Sequence, residues 1–305
     1  MKIIIIELNK NKKEIKMTRK IKNKRKTYQQ NEHTIQKNKK NLLHLTNEQL
    51  YTLSSKLITS DIEIGGYIHI NKERPVYHTN TKNIKHVIST VNKIEEETSN
   101  SDADIDSVQI DNFDINYHLH PLSVYVENDC IFGQPSSEDL IQCITYAMEG
   151  ENRCHIVVTL EGIYLIKICF VFMDFFRKIK SNKKKETFKE CLFDYFKQLH
   201  VLRRKDIAPC AKYSPKRYIN IINNFKIHKI PKCHELCYDN ESLLKCNPFH
   251  IYFYPSNLYL KWIHTWNGSY TSLKTILYNQ NYRKELEKLV TTYDKNKTGF
   301  YIDIS

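Results

Sequence analysis

The hydrophobic pattern of this chain begins late. Up to Lys40 the residues are dominated by Lys, Asn, Gln and Arg with no apolar period, and Arg19-Lys20-Ile21-Lys22-Asn23-Lys24-Arg25-Lys26 is a dense basic run. Such a stretch cannot bury enough apolar surface to fold, so residues 1–40 predict a solvated, disordered arm. Its basic cluster also fits a nuclear address or a nucleic-acid contact. The pattern changes at Leu45. Thr46 with Gln49 three positions later is a capping box, and Leu50, Leu53 and Leu57 follow at helical spacing, which predicts a helix over Asn47–Thr59.

Alternating and β-branched runs then predict strands at Ile62–Ile70 and Val76–Thr79, joined by a turn at Asn71–Pro75, and another near His86–Val91. Lys93 to Asp106 is acidic and aperiodic and reads as an exposed loop. Asp102, Asp104 and Asp106 alternate as in a calcium loop, but the later glycine and bidentate Glu of such a loop are missing. Val108–Tyr117 is the next strand. Leu122–Gln134 reads as a long loop whose Tyr125, Glu127, Asp129 and Phe132 suit either a substrate-gripping flap or an ordinary connection.

A helix over Ser137–Glu149 buries Leu140, Ile141, Ile144, Ala147 and Met148 and ends at Gly150. His155–Leu160 and Gly162–Ile168 are two strands about a turn. Interleaved strands and helices predict an α/β fold, a mixed sheet with flanking helices. After Phe170 the character shifts. A charged break at Ser181–Lys185 precedes a helix over Glu186–Arg204, and a last helix is predicted at Tyr282–Val290. The expected organisation is an arm (1–40), a domain at 41–170 and an α-rich, aromatic C-terminal extension (171–305).

Composition alters this picture little. The 305 residues carry a net charge of +13, which attracts nucleic acid or acidic proteins but also follows from abundant Lys, Asn and Ile with scarce Gly. Nine cysteines without framework spacing predict free thiols in a reducing compartment. The apolar core of Met1–Glu7 is too short for a signal peptide, and Ile156–Phe176 is broken by charges, so no membrane span is expected. The expected location is cytoplasmic, or nuclear through the basic arm.

The chemistry concentrates in two stretches. His118 and His120 lie two apart at the end of a strand, so their imidazoles share a face, and Pro121 stops the ladder beside them. Ser136 is the expected N-cap of the next helix and Asp139 lies one turn in, pointing back. Two imidazoles and a carboxylate make a three-ligand zinc set with an open fourth position. Upstream, Glu63 opens a strand whose Gly65-Gly66 pair permits close backbone approach. His155 and His69 are alternative ligands by residue type, with core or surface histidines as the plainer reading. Cys233, Cys237, Cys246 and His250 offer donors for a second, structural zinc, against the reading of plain reduced cysteines.

Glu63, Gly66, His118-x-His120-Pro121 and Ser136-x-x-Asp139, in that order, resemble the JAMM (MPN-plus, JAB) metalloprotease family. The fifteen residues between His120 and Ser136 exceed the spacing of the best-known members and look like JAB-domain proteins of large DNA viruses. The resemblance covers roughly 41–168 and implies a JAB/MPN-like sheet. It implies zinc on His118, His120 and Asp139, Glu63 as general base and Ser136 as oxyanion donor. The reaction implied is hydrolysis of an amide, often the isopeptide between ubiquitin or a ubiquitin-like protein and a lysine, in some relatives with a partner subunit. Two other classes fit the sequence: a catalytically silent MPN-type scaffold, and a nucleic-acid-binding protein that uses the basic arm.

Overall fold

The structure is a computed structural model that describes residues 40–77, 84–97, 110–149, 152, 154–205, 214–227, 230, 245–292 and 300–304. The basic arm up to residue 39, residues 98–109 of the predicted acidic loop and the strand start after it, Gly150, Cys233 and Cys237 lie outside the described residues. Of two compact units, the larger comprises Leu43–Asn71 and Thr90–Ile304, and it contains every site residue discussed below. The described residues of the other are 40–42, 72–77 and 84–89.

Eight strands form one mixed sheet with helices around it. In chain order they are β1 (Lys40–Leu45), β2 (Ile64–Tyr77), β3 (Ile84–Glu97), β4 (Ile115–Leu119), β5 (Cys154–Val158), β6 (Gly162–Ile168), β7 (Phe249–Pro255) and β8 (Phe300–Asp303). Their spatial order is β7-β6-β5-β4-β2-β3-β1-β8. β4 runs parallel to β5 and antiparallel to β2, and β5–β6 and β6–β7 are antiparallel. The α/β expectation therefore holds at the level of a mixed sheet with flanking helices.

The period-two rule sorts the side chains of the central strands between two cores. Ile115, Tyr117 and Leu119 of β4, with Ile156 and Val158 of β5, meet α1 (Asn47–Thr59) and α2 (Leu122–Glu127). Val157 of β5 and Tyr164 and Ile166 of β6 meet α3 (Ser137–Glu149), α4 (Phe170–Lys178), α5 (Asn182–Lys205) and α6 (Pro215–Asn223). α1 forms where its capping box predicts: Thr46 Oγ1 accepts the Gln49 N–H, and Gln49 Oε1 accepts the Thr46 N–H. It buries Leu50, Leu53 and Leu57, so Leu53→Ala costs about 2–5 kcal/mol.

Several boundaries differ from expectation. No turn interrupts Asn71–Pro75, because β2 runs through it, and β3 extends to Glu97 into the predicted acidic loop. β4 starts only at Ile115. The Asn116 side chain accepts the Phe113 N–H and donates to the Asp111 carbonyl, so local side-chain bonds compete with a strand there. The predicted loop at Leu122–Gln134 holds α2, with Tyr125 and Phe132 buried. The C-terminal segment is rich in helix and also supplies β7 and β8. β7 pairs with β6 over seven residues, and α7 (Asn257–His264), α8 (Tyr270–Tyr278) and α9 (Arg283–Val290) pack on the α1 side of the core. Residues 171–305 thus complete both layers around the 41–170 segment. Among the described residues, no helix is long and apolar enough to cross a membrane.

Candidate metal centre

β4 places its histidines by register. His118 pairs with Gly65 of β2 on one side and Val157 of β5 on the other, and its side chain leaves the face opposite Tyr117 and Leu119. β4 ends at Leu119, yet the His120 N–H still donates to the Val158 carbonyl at 3.0 Å, so His120 keeps the strand alternation and returns to the face of His118. Pro121 then caps α2. The two Nε2 atoms come to 2.9 Å, and both rings are buried.

Gly66 shows why this part of β2 carries glycine. A Cβ there would lie 2.0 Å from the Glu95 carbonyl oxygen of β3, a clash no rotamer relieves. Glu63, just before β2, is 6% exposed and brings Oε1 to 3.4 Å from His120 Nε2.

α3 begins at Ser137, and Ser136 caps it as the sequence predicts. Ser136 Oγ accepts the Asp139 N–H at 3.1 Å, and Asp139 Oδ2 accepts the Ser136 N–H at 2.5 Å. This reciprocal pair turns the carboxylate towards the histidines: Asp139 Oδ1 is 3.2 Å from His118 Nε2, and Oδ2 is 3.6 Å from His120 Nε2. Burial alone would raise the Asp139 carboxyl. Against protonated rings, the charge and hydrogen bond of His118 and the charge of His120, with the Ser136 N–H, outweigh it and hold the group well below the usual carboxylate range.

The remaining ring nitrogens are occupied. His120 Nδ1 lies 2.7 Å from the Gly133 carbonyl, which can only accept, so Nδ1 carries a proton, and in the neutral ring Nε2 presents its lone pair to the cluster. His118 Nδ1 lies 2.6 Å from His155 Nε2. With Nδ1–H of His118 donating to His155, a second lone pair points at the first. Two imidazole lone pairs at 2.9 Å, with carboxylates on either side, are satisfied by a cation between them, and this is how the residues fit a metal. Glu63, His118 and His120 can each offer one atom within 4.8 Å of the others, a buried group able to hold a metal ion and compatible in donor type with zinc.

His155 is placed in this structure behind His118, not in the ligand ring. Burial and the neighbouring His118 lower it to about 3, so it is a neutral ring at neutral pH. Its own Nδ1 is buried without a hydrogen-bond partner. His69 is elsewhere, 3.0 Å from Glu95. Cys246 and His250 lie at the start of β7, away from this centre, and the other two residues of the predicted cysteine site lie outside the described residues.

Sequence reasoning missed the support behind His120. Gly133 is held by Glu161 at the β5–β6 turn. Glu161 Oε2 accepts the Tyr125 hydroxyl at 2.5 Å and the Gly133 N–H at 3.2 Å, and Oε1 accepts the Tyr164 hydroxyl at 3.0 Å. Tyr125 Oη in turn accepts the Leu160 N–H. No motif spacing announces this network, since Tyr125 and Gly133 lie 36 and 28 positions from Glu161. The flap reading is corrected accordingly: Tyr125 and Phe132 are core residues, whereas Glu127 and Asp129 face solvent and Asp129 pairs with Lys274.

No family model and no solved structure matches this chain. Over 118 residues, 39% of this chain, it is 26% identical to an uncharacterized protein, 3R, of Frog virus 3 (isolate Goorha). The match spans about a quarter, 26%, of that protein's length.

Proposed function

We propose that the chain is a zinc-dependent isopeptidase of the JAMM type, which hydrolyses the amide between ubiquitin or a ubiquitin-like protein and a lysine. The observation that carries this reading is the convergence of Asp139 on the buried Glu63, His118 and His120, from three separate segments and with donor types that suit zinc. In this reading the sheet and its flanking helices are a JAB/MPN-like domain with added C-terminal layers. In this reading the likeness to a viral protein accords with the resemblance to JAB-domain proteins of large DNA viruses, whose activity would be exerted in a host cell.

His118, His120 and Asp139 would hold the zinc, with Glu63 beside it. When bound, zinc supplies a Lewis acid and brings the pKa of a water down to about 7. Glu63 takes the proton of the attacking water and returns it to the departing lysine amine. Ser136 accepts the Asp139 N–H, which leaves its own O–H to donate to the oxygen that gains charge. His155 and Gly133 keep both ligand rings in the tautomer that presents Nε2.

The test is zinc content together with cleavage of ubiquitin conjugates by the full-length chain and Glu63→Gln. The expected result is one zinc at this centre in both, with cleavage reduced about 10²–10⁴-fold in the variant. Undiminished cleavage by Glu63→Gln, or a folded parent with no affinity for zinc, overturns the reading and favours the silent scaffold.

A further inference from the structure

The end of the β6–β7 ladder carries a pair of thiols that the centre above does not use. Ile168 pairs with Phe249, so Cys169, the N-cap residue of α4, lies beside the turn that enters β7. The Cys169 N–H donates to the Pro248 carbonyl at 2.8 Å, which carries the ladder one bond into that turn. Asn247, 8% exposed, fastens the other side by donating to the Asn223 carbonyl of α6 and accepting the Phe249 N–H. The Asn223 side chain in turn grips Ile251 of β7, donating to its carbonyl and accepting its N–H. Between these anchors the Cys246 thiol donates to the Cys169 sulfur, and the two sulfurs lie 3.1 Å apart across 77 positions of chain.

Reach and access both favour oxidation here. A disulfide holds its sulfurs at about 2.05 Å, so the gap to close is about 1 Å, within the range of small side-chain rotations. The backbone on either side can keep its hydrogen bonds while they occur. Cys169 and Cys246 are half-buried, whereas Cys130, Cys143, Cys154 and Cys191 are buried. Among the described cysteines, these two alone are open to a small oxidant.

We propose that Cys169 and Cys246 are a reversible oxidation site, which a low-molecular-weight disulfide such as glutathione disulfide converts into a bridge. One deprotonated thiol attacks a sulfur of glutathione disulfide and releases the first glutathione. Its partner then displaces the second, so two protein thiols are oxidised, one glutathione disulfide is reduced, and the two protons pass to the departing glutathiones. Excess reduced thiol runs the exchange backwards. The bridge pins the entry of β7, the strand at one edge of the sheet, to the start of α4. Closing a loop of that length restricts the unfolded chain, so the oxidised form resists unfolding more than the reduced form. The site does not rest on the isopeptidase reading.

The test uses the full-length chain, reduced, freed of reductant and incubated with mixtures of reduced and oxidised glutathione. Free thiols are then alkylated and the peptides mapped by mass spectrometry with and without reduction. The Cys169–Cys246 peptide pair should be the first linkage to form, with the loss of two hydrogens, and dithiothreitol should reverse it. The oxidised chain should unfold at a Tm at least about 3 °C above that of the reduced chain. Cys169→Ser and Cys246→Ser should each erase both the linkage and the rise. Serine is a good N-cap, so Cys169→Ser preserves the start of α4, and the map of the parent decides even where a variant does not fold. Glutathione that stays on either cysteine of the folded parent as a mixed disulfide overturns the site. So does a different pair that links first, a bridge that leaves Tm unchanged, or two cysteines still open to alkylation in the most oxidising mixture.

Discussion

Asp139 and Glu161 are two carboxyl groups drawn largely out of water by the same fold, and their pKa values shift in opposite directions. Asp139 faces two imidazoles and a backbone N–H, and is held far below its ordinary range. Glu161, 2% exposed, is raised: burial dominates, and the hydroxyls of Tyr125 and Tyr164 and the Gly133 N–H offset it only in part. Burial sets the cost of a charge, while the partners decide whether the charge is kept. One carboxylate is therefore available to a cation. The other is a structural tie, three bonds that fix the Tyr125 and Gly133 segments and, through the Gly133 carbonyl, the ring of His120.

The comparison is broken most completely at Asp139. Asp139→Ala should abolish stoichiometric zinc at the histidine centre while the protein stays folded, as read by metal analysis beside circular dichroism. Zinc that persists there would mean that Glu63 is the carboxylate ligand. Glu161→Leu should act in the opposite sense, on stability before affinity. It leaves buried Tyr125 and Tyr164 hydroxyls and the Gly133 N–H without their acceptor, at about 1–3 kcal/mol for each group left unsatisfied, which a denaturant titration would register.

Smaller effects sharpen it. His155→Phe removes the acceptor behind His118 and should weaken zinc binding about 10–100-fold, with partial recovery in His155→Gln, whose side-chain oxygen can accept the same proton. Competition with a chelator measures both variants. The smallest effect concerns pH. A raised carboxyl contributes stability that is complete below its unfolded value and is lost as pH rises through its folded value. Glu161→Gln keeps an acceptor but does not titrate, so it should gain stability relative to the parent as pH is raised above the ordinary glutamate range. A parent and variant that respond identically would show that Glu161 is not raised.

Much of the site was legible in the chain because its geometry is local. His118 and His120 share a face by strand alternation, and Ser136 and Asp139 form one turn of helix. Both relations hold within four residues, where backbone geometry dominates. The α1 capping box and the α3 boundaries follow for the same reason. Strand limits were less legible, since β2 and β3 are extended by pairing partners that a local pattern does not contain, and Asn116 cuts β4 short through its own side chain.

The sequence by itself thus determined the residue types, the α/β alternation and the local pairs that aim donors in one direction. Only the tertiary structure decided which of those pairs meet. It set α3 over the β4 histidines and Glu63 beside His120, and it put His155 behind His118 as a neutral ring. It also set Cys169 beside Cys246, 77 positions away, because β7 pairs with β6 and carries its preceding turn to the start of α4. Contacts of that range depend on which strands are neighbours in the sheet, and register between distant strands is a property of the packed core as a whole.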